Sequence, residues 1–209
     1  MARKSHLERS EGVFTTLYLA SALIGIALAL ALRASLRDIA NLELKAAWVF
    51  VVAAGLEGGL AYATSRGLIA PSIAGPVAKT LVLLVGYGLG VNTHLRGLWF
   101  VWLGLLCNAL VIFANKGHMP VSSEALYKVG MESYLPKLQE QYDAVHTLMT
   151  DSTPLWFLAD VIPVRILGYT NVISLGDVYL MVGIVLTIVS GALAAKRKAQ
   201  EDAEIDLSF

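Results

Sequence analysis

Long apolar stretches alternate with short polar turns along this chain, and one long polar loop interrupts the series. Val13–Leu32, Leu44–Ser65, Val77–His94, Leu98–Ala114 and Val172–Ala195 are the apolar stretches. A helix crosses about 30 Å of hydrocarbon with roughly 20 apolar residues at a rise of 1.5 Å each, and these stretches approach or meet that length. The turns between them suit helix ends: a basic turn with Arg33, Arg37 and Lys45, a Gly/Pro-rich link over Gly67–Pro76, and a tight turn at Arg96 and Gly97. The N-terminal Arg3, Lys4 and Arg9, with Ala29-Leu30-Ala31 downstream, look like a signal peptide. The apolar run between them is too long for that, and it reads as an uncleaved first helix.

Residues 115–153 form the polar loop, punctuated by Pro120 and Pro136. Ser122 is placed to cap a short helix ending near Val129. Leu138, Tyr142, Val145 and Met149 recur at helical spacing, which predicts an amphipathic helix over Lys137–Met149, lying on the membrane or on the helix bundle. Pro154–Tyr169 is apolar but short, and it holds Asp160, Pro163 and Arg165. A broken helix facing lipid would leave backbone groups unpaired, so residues 154–169 are expected to be re-entrant or interfacial. The expected fold is an all-α polytopic transmembrane helix bundle of about five spans, forming a single membrane domain over residues 1–209.

Composition supports a membrane class. Of 209 residues, 56% are hydrophobic and only 15% charged, with mean hydropathy +0.65; a water-bathed domain needs more charge on its surface. The formal net charge of zero argues against nucleic acid as a partner. Cys107 is the sole cysteine, so no intrachain disulfide forms, and its apolar setting reads as packing. With an odd number of spans, the first basic turn and Lys196-Arg197-Lys198 share a side, which places the C-terminus in the cytoplasm and the N-terminus and long loop outside. A sixth span through 154–169 would put both ends inside.

Several polar residues fall where polarity is costly. Glu57 lies in the second stretch, flanked by Gly55, Gly58 and Gly59. A carboxylate there costs roughly 2.5 kcal/mol or more, so it is either a proton or cation site or a hydrogen-bonded lock between helices. Gly55 with Gly59, and Gly86 with Gly90, have the spacing that lets helix backbones approach. Asn108 reads first as interhelical glue. Asn115 and His118, beside Met119 and Pro120, are candidates to bind a head group or substrate, although a rigid helix exit explains the same residues more simply. Ser174 is placed to cap the last helix, with Asp177 in its first turn. Asp160 has Arg165, Lys116 and His118 as prospective partners. His6, His94, His118 and His146 lack zinc spacing, and His118, His146 and Asp160 are the one residual metal combination. No zinc, serine-hydrolase or nucleotide motif is present, and no metal or cofactor is expected.

At these loop residues the chain resembles the bacterial membrane proteins catalogued as domain of unknown function 5317. The resemblance is carried by Asn108 with Asn115-Lys116-Gly117-His118-Met119-Pro120-Val121, by Leu158-Ala159-Asp160-Val161-Ile162-Pro163, and by Ser174-Leu175-Gly176-Asp177-Val178, with Arg33-Ala34-Ser35-Leu36-Arg37 as a basic first loop. It implies a multi-pass protein of the bacterial inner membrane and no particular activity. It also groups Asn115, Met119, Pro120, Asp160 and Asp177 as one outer-face cluster. Three functions are in play: first, a non-catalytic accessory or scaffold subunit among lipid and other membrane-protein subunits; second, a transporter or binding protein for a lipid-like or small polar solute; third, a membrane-embedded enzyme.

Overall fold

Where apolar residues run on without interruption, the chain is helical; where β-branched residues alternate with polar ones, it is extended. A computed structural model describes residues 7–65, 68–69, 85–139, 146–166 and 169–206. In order, the elements are α1 (Leu7–Ala31), α2 (Leu36–Ala40), α3 (Ala47–Ser65), α4 (Gly97–Ala114), β1 (Met119–Val121), α5 (Ser123–Val129), α6 (Leu135–Gln139), β2 (His146–Leu148), β3 (Ile162–Ile166), β4 (Tyr169–Ile173) and α7 (Leu175–Asp206). Single tight helical turns occur at Glu132–Tyr134 and Trp156–Leu158, and residues 85–90 are also helical. Two compact units divide these elements. Unit 1 comprises Met1–Lys45, Leu89–Val101 and Leu180–Phe209, and unit 2 comprises Ala46–Gly88 and Trp102–Tyr179.

The expected all-α bundle of five spans is not what forms. Among the described residues, two helices are long and apolar enough to cross a membrane, α4 and α7, with the shorter apolar stretch Thr16–Ala31 inside α1. Two small sheets are present that an all-α fold does not include, and β2 and the end of β4 fall in stretches expected to be helical. Of the predicted helix Lys137–Met149, Lys137–Gln139 is helical within α6, residues 140–145 lie outside the described residues, and His146–Leu148 is instead a strand, parallel to β1 with Met119 opposite His146. Pro154–Tyr169 is neither re-entrant nor a broken span. It makes one helical turn and then enters β3, whose backbone pairs antiparallel with β4 from Ile162↔Ile173 to Ile166↔Tyr169. Ile162, Val164, Thr170, Val172 and Ile173 are β-branched, and a hairpin satisfies internally the backbone groups that a broken helix would leave unpaired. Accordingly the last stretch begins as strand at Val172 and turns helical only at Leu175. Of the third stretch, residues 77–84 lie outside the described residues, and the helix ends at residue 90 rather than at His94.

In unit 1, glycines let helices touch. A Cβ on Gly97 would sit 2.6 Å from the Gly183 carbonyl oxygen, and a Cβ on Gly183 would sit 2.6 Å from the Val101 nitrogen. These are backbone contacts with nothing flexible to give way. Ala29, Ala34 and Ala192 are buried together, with Ile39, Val189 and Leu193 packed on them. The basic first loop is α2, whose N-cap Ser35 and Asp38 form a reciprocal capping box. Asn92 is 1% exposed and bonds both backbone groups of Lys45, accepting from its N–H and donating to its carbonyl, each at 2.7 Å.

In unit 2, α5 is held at both ends. Ser122 accepts from the Ala125 N–H at 3.2 Å, and Gly130 closes the helix in the left-handed conformation at φ 75°. Its Ala125, Leu126 and Val129 pack with Val121, Leu138 and Val172. A second cluster joins Cys107 and Val111 of α4 to Met119, Leu158 and Ala159.

The glycine contacts make a testable distinction. Gly97→Ala and Gly183→Ala should each lower stability by about 1–3 kcal/mol, the usual cost of overpacking. Gly55→Ala and Gly59→Ala, where no described atom lies within 4 Å of the added Cβ, should be neutral or slightly stabilising through helix propensity. Unfolding in mixed detergent micelles measures both; equal losses at all four positions would refute the distinction.

Candidate functional site

The polar centre of unit 2 forms where α4 meets the start of α7. Ser174 and Asp177 cap α7 reciprocally: the Asp177 N–H donates to Ser174 Oγ at 3.0 Å, and the Ser174 N–H donates to Asp177 Oδ2 at 3.0 Å. From α4, Asn108 Nδ2 donates to Asp177 Oδ1 at 3.1 Å, while Ser174 Oγ donates to Asn108 Oδ1 at 2.9 Å. Ser174 is fully buried and Asp177 is 5% exposed. Both carboxylate oxygens are thus paired, at a helix N-terminus that favours negative charge. Gly176 makes the approach possible, because a Cβ there would collide with Asn108 Oδ1 and lie 2.7 Å from the Gly104 carbonyl oxygen.

Asp160 is the contrast. Its backbone extends the small sheet beside β1, donating to the Pro120 carbonyl at 3.0 Å and accepting from the Ser122 N–H at 2.9 Å. The side chain is buried, with Oδ2 3.9 Å from His146 Nε2 and, among the described residues, no hydrogen-bond partner for Oδ1. Burial pushes its carboxyl up from 3.8 to about 8; His146 pulls the other way, and the charge of Asp177 adds to the rise. Tyr169, on β4, has its hydroxyl raised by burial, opposed by the hydrogen bond from Asn171 and reinforced by Asp177. Asn171 Nδ2 donates to that hydroxyl at 3.3 Å. Two acids, a histidine, a tyrosine and two amides therefore gather in unit 2, with Asp160, Asp177 and Asn171 buried and Asn108, His146 and Tyr169 half-buried.

Most of the residues singled out from sequence have definite structural places. Asn108 and Asp177 belong to the paired network. Asn115 donates through Nδ2 to the Val111 carbonyl at 2.8 Å and the Pro154 carbonyl at 3.0 Å, pinning a distant turn. Lys116 and Gly117 take positive φ, 58° and 95°, as the helix exit. Met119 and Pro120 are buried, the first in packing and the second through the carbonyl that holds Asp160. Arg165, Lys116 and His118 do not pair with Asp160; His146 does. No group of three His, Cys, Asp or Glu suited to a metal occurs among the described residues. Glu57 lies on α3, and its side chain falls outside the described residues. Gly86 would bring a Cβ to an ordinary 3.6 Å from Trp102 Nε1, and Gly90 faces open space. Sequence reasoning missed Asn92, Tyr169 and Asn171. It joined His146 to Asp160 only within a residual metal combination and on a helix, whereas β2 beside β1 brings the two within 3.9 Å.

A model of a family of unknown function, DUF5317, matches residues 41–189, and the chain belongs to that family. No curated protein and no solved structure matches it. The matched range takes in the whole of the polar centre.

The Asp160 carboxyl gives stability a definite pH dependence. Its folded-state pKa, about 8, lies above the ordinary 3.8, so folding favours the protonated form. That contribution is fully present below the ordinary value and is lost as pH rises through the folded one. Asp160→Asn, uncharged at every pH, should flatten the decline and should be more stable than the parent at alkaline pH. Asn108→Ala should cost about 1–3 kcal/mol, because it strands Asp177 Oδ1 and the Ser174 hydroxyl. Chemical unfolding across a pH series checks both, and an unchanged slope in Asp160→Asn would exclude Asp160 as the source.

Proposed function

We propose that this chain is a multi-pass protein of the bacterial inner membrane that binds a small cationic or amine-bearing solute at Asp160, without catalysing a reaction on it. The membrane part is supported by α4 and α7. Their most apolar windows have mean hydropathy 2.1 and 2.3, yet only 28% and 17% of those windows is buried inside the protein. The core helix of a water-bathed protein would be mostly covered. Leu103, Leu110 and Phe113 of α4 are 37%, 45% and 59% exposed, and lipid is the surroundings in which that costs nothing.

The observation that carries the binding part is Asp160 Oδ1, a buried oxygen with no hydrogen-bond partner among the described residues. A buried unsatisfied acceptor is expensive, and its persistence fits a ligand that supplies the missing donor or charge. Binding is favoured over chemistry because the one hydroxyl in the paired network, Ser174 Oγ, is already committed to Asn108 Oδ1 and the Asp177 N–H. A second reading, an accessory subunit of a membrane assembly, is favoured by the α3 face at Gly55 and Gly59, where no described atom lies within 4 Å of an added Cβ.

The test is thermal stability of the purified full chain, at a pH above the folded pKa of Asp160, in a panel of sodium, potassium, ammonium, methylammonium and choline chlorides. One cation should raise the melting temperature of the parent and leave Asp160→Asn unmoved. A panel in which parent and variant respond alike would overturn the binding reading. Reproducible co-purification with one membrane partner, abolished by Gly55→Leu with Gly59→Leu, would then favour the accessory role.

A further inference from the structure

The turn that follows Pro154 is built to hold two aromatic rings outward. Leu155 adopts a left-handed φ of 53°, unusual for a residue with a branched side chain. Its conformation is fixed from three sides. Asn115 Nδ2 holds the Pro154 carbonyl at 3.0 Å; the Leu158 N–H donates to the Leu155 carbonyl at 2.8 Å, and the Ala159 N–H to the Trp156 carbonyl at 3.1 Å. Leu155 also packs against the cluster of Cys107, Val111, Met119, Leu158 and Ala159. With the turn anchored inward on both sides, Trp156 and Phe157 point away and are 60% and 51% exposed. Their rings meet edge to face, with centroids 6.2 Å apart and planes at 89°.

The level of this turn along α4 is set by Asn115, the residue that follows the last residue of that helix, Ala114. The exposed apolar side chains of α4 run to Leu110 and Phe113, 45% and 59% exposed, just before Asn115 ties in the turn. The two rings therefore continue the apolar surface of the helix at the point where it ends, which is the level of lipid carbonyls and head groups. Tryptophan is enriched there because its ring is apolar and its N–H stays hydrogen-bonded.

We propose that Trp156 and Phe157 form an interfacial anchor that seats the loop assembly of unit 2 on the lipid surface at the end of α4. The proposal rests on the membrane reading above, and its test separates the two. The full chain is reconstituted into phosphatidylcholine and phosphatidylglycerol vesicles whose acyl chains carry bromine near the carbonyl or near the chain end. Trp156 is read in the variant Trp48→Phe with Trp99→Phe and Trp102→Phe; Trp99, on the apolar window of α4, is read in Trp48→Phe with Trp102→Phe and Trp156→Phe. Quenching of Trp156 at least twofold stronger by the shallow bromines than by the deep ones is expected, with Trp99 quenched by brominated lipid as well. A second arm keeps the other tryptophans: Trp156→Phe alone should reduce the fraction of emission quenched by shallow bromines. If Trp99 is quenched while Trp156 is reached only by aqueous acrylamide, the anchor is wrong and the membrane reading stands. If neither is quenched by lipid, both fall. If Trp156 is shielded from lipid and acrylamide alike, a contact between copies of the chain replaces the anchor.

Discussion

Four hydrogen bonds among Asn108, Ser174 and Asp177 hold the start of α7 against α4, and the arrangement of unit 2 depends on them. They satisfy a buried carboxylate, an amide oxygen and a helix N-terminus in one stroke, a set of groups that would be costly to bury singly. The closeness they demand excludes a side chain at position 176, so the glycine is a consequence of the same bonds. They also fix where β4 must deliver the chain, since Ile173 is the last strand residue and Ser174 the cap. The β3–β4 hairpin and Asp160 just before it are placed by that endpoint.

A fully paired Asp177 has a further effect. Both of its oxygens are bonded at a helix N-terminus, and its charge contributes, after burial, to lifting the Asp160 carboxyl. His146, 3.9 Å away, is too distant for a hydrogen bond but near enough to matter electrostatically.

The helices were legible because their cause is local. Leu98–Ala114 reads as an unbroken apolar run and is α4 within one residue; Ser122 and Ser174 read as caps and act as caps. The strands were not, because a short apolar run with a proline satisfies the pattern of a broken helix and of a hairpin equally well, and only the partner strand decides. His146 followed the same error, since its period-3.6 setting hid the parallel pairing to Met119. The helix contacts were misplaced for a different reason. The glycines four apart on α3 face no described atom, whereas the close approaches use Gly97 with Gly183 in unit 1 and Gly104 with Gly176 in unit 2. On each helix those glycines are seven residues apart, two turns, and a search for the shorter spacing passes over them.

Beside its two buried apolar clusters, unit 2 turns several polar groups inward and several large apolar ones outward. Asn108, Asp160, Asn171, Ser174 and Asp177 are turned inward, while Trp156, Phe157, Leu110 and Phe113 are turned out. In water, each exposed ring or leucine forgoes about 1.5–3 kcal/mol of burial, and the buried acids bear a desolvation cost besides. A chain under that double penalty would gain by exchanging the two sets. Against hydrocarbon the balance changes sign: outward apolar groups lose nothing, and polar groups must turn inward to find partners. Hydrocarbon surroundings would account for the inward network and the outward rings together, and Asp160 Oδ1 stands out as a buried oxygen with no hydrogen-bond partner among the described residues.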